Sequence, residues 1–125
     1  MRIEVKVCLY SWLMLLGMSA TTTFANSSDD LNKPVGQFLA SCEKDPSHDS
    51  ACNSVVSATR FYTEARMTSC VPDSPDGKEA YEKWERDQIL AVIRWLHAHP
   101  VPADTTATNA VAKAVVSMWP GPCKY

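Results

Sequence analysis

Four cysteines, Cys42, Cys52, Cys70 and Cys123, follow an N-terminal stretch that reads as a cleavable export signal. Together they restrict the chain to a small secreted domain, folded in an oxidising compartment and held by two disulfides. Arg2 and Lys6 open the leader, Val7 to Met18 is almost wholly apolar, and the chain then turns small and polar. That is the three-part plan of a signal peptide. Thr23-Phe24-Ala25 sets small residues at the two positions a signal peptidase reads, so cleavage is expected after Ala25, with Ala20 the alternative cut. The leader spans 1–25 and the mature domain 26–125. An apolar run of about twelve residues is too short for a bilayer, which needs roughly 20. Cys8 leaves with the leader, and the odd cysteine of the five is accounted for.

The chain has 12 Lys or Arg, of which Arg2 and Lys6 are lost, and 14 Asp or Glu, of which Glu4 is lost. The mature charge is therefore about −3. Neither sign forms a basic patch with interleaved aromatics, so nucleic acid is not an expected partner. About 100 residues bury one thin core, which disulfides commonly reinforce.

Strand signals are weak and helical periodicity is clear. Val35, Phe38, Leu39 and Cys42 share one face of a first helix, about 34–43, opened by Pro34. Asp49 or Ser50 can cap a second helix running to about Ser69, with an inward stripe of Ala51, Val55, Ala58, Tyr62 and Ala65. Cys52, Val56 and Thr59 lie beside that stripe. The breakers from Cys70 to Gly77 make a loop. A third helix runs from Lys78 to about His97, carrying Ile89, Val92, Ile93 and Leu96, with a bend expected near Asp87. Pro100 and Pro102 stop it. A fourth helix starts at Asp104 or Thr105 and carries Ala107, Val111, Ala114, Val115 and Met118. The expected fold is all-α, a small four-helix domain with its core in 34–123.

Four cysteines allow three pairings. In a continuous second helix Cys52 and Cys70 stand about 27 Å apart, beyond the roughly 7 Å limit of a disulfide. Of the two remaining schemes, Cys42 with Cys52 and Cys70 with Cys123 is preferred, because the end of the first helix and the start of the second adjoin across a short loop.

No catalytic residue is expected. The cysteines are even in number and widely spaced, which suits bridges better than a thiol nucleophile, and neither a nucleophile elbow nor a glycine-rich phosphate loop occurs. No cofactor or metal is expected either. His97 and His99, two apart on a helix, point their rings away from each other, and at a helix C-terminus they suit the dipole. Glu79, Glu82, Lys83 and Arg86 read as a solvated face with pairs three and four apart. Trp95 and Trp119 are assigned to the core and Trp84 to an interface.

The order of elements resembles a known family. A cysteine closes a short helix and another opens a small-residue helix, followed by Cys70-Val71-Pro72. Next comes a helix ending Trp95-Leu96-His97-Ala98-His99-Pro100, then an Ala/Val helix closing on Trp119-Pro120 and a last cysteine, Cys123. This is similar to the Rap/Tai family of periplasmic immunity proteins of type VI secretion systems. The resemblance covers Val35 to Cys123. It departs in the longer acidic stretch from Asp73 to Asp87 and in Gly121-Pro122, which separates Trp-Pro from the final cysteine. The resemblance implies a periplasmic protein, often a homodimer, that binds and occludes a peptidoglycan amidase effector without catalysing a reaction. The two proline-bearing loops, Val71 to Gly77 and His97 to Asp104, are the expected contact surface, with Asp73, Asp76, His97 and Asp104 as partner-binding residues. The alternatives are a periplasmic acid-stress chaperone of the HdeA/HdeB type, in which the carboxylates from Asp73 to Asp87 would titrate, and an orphan domain of unknown role.

Overall fold

A helix is expected wherever apolar residues recur every three or four positions between caps and breakers, and the computed structural model, which describes residues 31–124, has four such helices. They are α1 (Val35–Lys44), α2 (Ala51–Ala65), α3 (Lys78–Ala98) and α4 (Ala107–Met118). The export signal, its cleavage site and Cys8 lie outside the described residues. No helix among the described residues is long and apolar enough to cross a membrane.

Ser50 caps α2 by accepting from Asn53 N at 3.1 Å, and Gly77, at φ 95°, supplies the left-handed turn that opens α3. Pro34 stands just ahead of α1 and not inside its first turn. The fourth helix begins later than Asp104 or Thr105, because Thr106 takes the capping position and accepts from Asn109 N at 3.3 Å. No break interrupts α3 near Asp87.

Two features of α2 differ from the expectation. It stops at Ala65, four residues short of Ser69, because Met67 turns left-handed at φ 59°. Met67 N then donates to Glu64 O and Thr68 N to Thr63 O, both at 2.9 Å, which satisfies the last carbonyls in a Schellman motif. The buried face is also rotated. Cys52, Asn53, Val55, Val56, Thr59, Arg60 and Thr63 face inward, whereas Ala51, Ala58, Tyr62 and Ala65 are exposed. The Cys42–Cys52 bridge, with Cα atoms 5.1 Å apart, sets that rotation, and buried polar partners accommodate Asn53 and Arg60.

The core joins Phe38 of α1, Val55 and Val56 of α2, Ile89, Val92 and Leu96 of α3, and Val111 and Val115 of α4. Ala107, Ala110, Val111, Ala114 and Val115 of α4 are buried, and α4 packs most extensively on α2. Small side chains let the two backbones approach closely. Trp95 and Trp119 are half-buried against this core and not within it; Trp84, expected at an interface, packs against it in the same way.

Both ends of α4 are tied down by backbone pairs. Val35 N donates to Thr105 O at 2.9 Å and Ala107 N to Lys33 O at 2.7 Å, joining the starts of α1 and α4. At the other end Cys70 N donates to Trp119 O at 2.8 Å and Gly121 N to Thr68 O at 3.1 Å. The Cys70–Cys123 bridge, with Cα atoms 5.0 Å apart, closes that end, so both disulfides follow the preferred pairing. Gly121 fits because it has no side chain: a Cβ there would lie 2.7 Å from Met67 O and Ser69 N. Gly121→Ala is expected to cost about 2 kcal/mol by overpacking against backbone. Urea unfolding measures this, and an unchanged midpoint would mean that the C-terminal segment is not held against α2.

Candidate functional site

The four expected contact residues do not form one site. Asp73 and Asp76 are exposed on the loop before α3, and His97 and Asp104 are exposed beyond or at its far end. The 21 residues of α3 separate the two loops, a span of about 30 Å. His97 is held by Glu43, Nε2 to Oε1 at 2.7 Å. It borders a depression of about 220 Å³ with Leu39, Leu96, Pro100 and Val101. His99 stacks on Trp95 with ring centroids 4.3 Å apart.

At the α3 N-terminal end the side chains are more unusual. Phe61 and Tyr62 are adjacent on α2, which buries neither: they are 64% and 57% exposed, and Met67, past the end of the helix, is 71% exposed. Contiguous exposed apolar area is what marks interaction sites on protein surfaces. Phe61 forms one wall of a groove of about 210 Å³ whose other lining includes Val71, Pro72, Asp73, Tyr81 and Trp84. The expected loop thus provides one side and α2 with α3 the other.

Arg60 lies in this groove although only 5% exposed. Its guanidinium carbon stands 4.6 Å from the Trp84 ring centroid and 5.3 Å from that of Phe61. Nη1 donates to Gln88 Oε1 at 2.7 Å. Arg60 makes no ion pair with a carboxylate among the described residues. Ring faces attract the cation but neutralise no charge.

Behind Tyr81 sits a second buried charge, Glu85, which lies within the acidic stretch from Asp73 to Asp87 and is only 3% exposed. Asn53 Nδ2 donates to its Oε2, and His48 Nδ1 does so at 2.8 Å. Burial works to raise the Glu85 pKa, but hydrogen bonds from Tyr81, His48 and Asn53 outweigh it and the carboxyl is held below its ordinary value. The bond to Glu85 raises His48. The same carboxylate, with burial, pushes the Tyr81 hydroxyl up, against an opposing effect of Arg60. Glu85 is thus favoured as a carboxylate and His48 beside it as the imidazolium, and this pair stands behind Tyr81 at the groove wall.

Outside it, the charged face expected from Glu79, Glu82, Lys83 and Arg86 borders an open basin of about 470 Å³ with Asp45 and Asp49. Its close pair is Lys83 with Asp87, Nζ to Oδ2 at 2.7 Å, whereas Lys78 and Glu82 stand at 3.9 Å.

Sequence reading missed Arg60, Phe61, Tyr81 and Glu85 as members of one region. The one local signal was the Phe61-Tyr62 pair; the rest depends on the angle at which α3 crosses α2. Compared with protein-family models, curated proteins and solved structures, the chain matches none.

Proposed function

We propose that this domain is an exported, periplasmic immunity protein that binds and occludes a peptidoglycan amidase toxin delivered by a type VI secretion system. The single observation that carries a binding role is the groove of Arg60, Phe61, Tyr81 and Trp84 beside the 71–77 loop. Trp, Tyr and Arg are the side chains that dominate interface energies, because they combine large apolar area with a directed polar contact. Sequence order, from the cysteine spacing to Trp119-Pro120, supplies the family assignment. Two formed disulfides suit an oxidising compartment. In this reading the α3 N-terminal end, with Asp73 and Asp76, enters the toxin's substrate groove and denies access; His97 and Asp104 stay outside that contact. The family likeness also implies a homodimer.

The test is co-purification of the exported, oxidised protein with the product of the adjacent reading frame, followed by peptidoglycan cleavage with and without it. Tight binding that stops cleavage is the expected result. Failure to bind or to inhibit any neighbouring amidase would remove the proposal.

A second reading, an acid-stress chaperone of the HdeA/HdeB type, draws on one feature: Glu85, a buried carboxylate with a lowered pKa, makes the fold lose stability in acid. Circular dichroism and client-aggregation assays at low pH separate the two. Loss of tertiary signal with suppressed aggregation supports the chaperone, and acid unfolding without suppression leaves immunity as the better reading.

A further inference from the structure

We infer that the Arg60 groove is the seat for an acidic side chain of a protein partner, an Asp or Glu that inserts beside Phe61 and pairs with the guanidinium. The inference deepens the binding role proposed above, but does not depend on which protein is bound.

Three observations carry it. A cation removed from water is costly unless an anion compensates it, and Arg60, 5% exposed, has two aromatic rings, one amide oxygen and the Tyr81 hydroxyl as neighbours but no carboxylate pair among the described residues. Its hydrogen-bonding partner is itself incomplete. Gln88 Nε2 is buried without an acceptor among the described residues while its Oε1 is taken by Arg60, so the Arg60–Gln88 pair holds donors in excess of acceptors. Finally, Arg60 lines an open groove of about 210 Å³, and Phe61 beside it is 64% exposed.

Guanidinium suits this role because its planar fork takes a carboxylate through two parallel N–H donors while its faces stay stacked on rings. Trp84 supplies such a face and is held by its packing on the core and against Tyr81, with ring centroids 5.5 Å apart. Two carboxylates border the same groove. Glu64 Oε1 accepts from Val71 N at 3.3 Å, which directs one of its oxygens to the loop backbone. Asp73 is exposed on the opposite rim, where water and salt screen it. Asp73 therefore weakens an acidic occupant modestly, and this gives the inference a signature that a purely structural Arg60 lacks.

The experiment is a titration of the oxidised domain with the blocked tripeptide acetyl-Ala-Glu-Ala-amide and its Gln counterpart. It is followed at the Arg60 Nε–H and Trp84 indole N–H signals in nitrogen-correlated NMR spectra. The Glu peptide is expected to shift both signals and to bind about tenfold more tightly than the Gln peptide. Arg60→Gln should bring that ratio to about one, and Asp73→Asn should raise affinity for the Glu peptide about twofold. Equal response to both peptides, or none at either reporter up to about 20 mM, overturns the inference. Should Arg60→Gln fail to fold, Asp73→Asn decides alone, since it alters an exposed loop side chain: no gain in affinity counts against the seat. The titration requires no toxin, so its failure leaves the co-purification result standing, and failure of co-purification leaves the carboxylate preference standing.

Discussion

Removing the Cys70–Cys123 bridge by a double substitution to alanine is expected to destabilise the domain by about 4 kcal/mol. A cross-link restricts the unfolded chain more as the loop it closes grows, and this one joins residues 53 apart. The Cys42–Cys52 bridge closes a separation of only 10 and is worth about 3 kcal/mol by the same reasoning. The two cysteines of the short bridge are also core residues, 0% and 1% exposed, so their replacement adds lost packing to lost entropy. Urea unfolding of the two double variants therefore weighs one contribution against the other. A larger loss for Cys70–Cys123 indicates that chain entropy dominates; the reverse order indicates that core packing does. A loss below about 1 kcal/mol for the long bridge would show that the backbone pairs around Ser69 and Pro120 already hold the C-terminus. Because total stability of such domains is about 5–15 kcal/mol, the long bridge supplies a large share of it. It also anchors the chain just ahead of Val71, so hydrogen exchange of the 71–77 loop should quicken in the variant, and with it any contact made through the groove should weaken.

Glu85→Ala is expected to cost about 3 kcal/mol near neutral pH. It withdraws the acceptor shared by His48, Asn53 and Tyr81, of which Asn53 is itself buried and is left with the 2.7 Å bond to His48 O for its side-chain Nδ2. The dependence on pH is the more specific result. The Glu85 pKa is lower in the folded state than the ordinary 4.5, so its stabilising contribution is present above 4.5 and is lost as pH falls through the folded value. The His48 pKa is raised above 6.5, so its contribution is complete below 6.5 and is lost as pH rises through the folded value. Together the pair stabilises most between these limits. Melting temperature followed across pH should rise from acid into that window and decline gently above it. Glu85→Gln should flatten the acid limb and His48→Gln the alkaline one. An acid limb unchanged in Glu85→Gln would assign acid sensitivity to other carboxylates, such as Asp87, which Lys83 holds below its ordinary value.

Which helices form was legible because each rests on local chemistry. The Ser50 cap, the breakers from Cys70 to Gly77, the prolines at 100 and 102, and the Ile89, Val92, Ile93 and Leu96 stripe act within a few residues of themselves. Disulfide pairing was legible for a related reason, since the end of α1 and the start of α2 adjoin across a short loop, while α2, although it ends at Ala65, carries the chain away from Cys52. The α2 C-terminus was not, because Met67 adopts a conformation usually left to glycine. Its inward face was misplaced because periodicity counts apolar residues, whereas this face buries Asn53, Arg60 and Thr63. The cost of burying a polar group depends on its partners, and those of Asn53 and Arg60 come from α3, 32 and 28 residues away.

The sequence by itself determined an all-α chain of four helices, their approximate limits and the two bridges, since propensity, capping and the reach of a rigid helix act over short stretches. Only the tertiary structure decided that Glu85 is buried and that Arg60, Phe61, Tyr81 and Trp84 meet in one groove beside the 71–77 loop. Those facts follow from how α3 crosses α2, a geometry set by packing and by charges that must find partners outside their own helix.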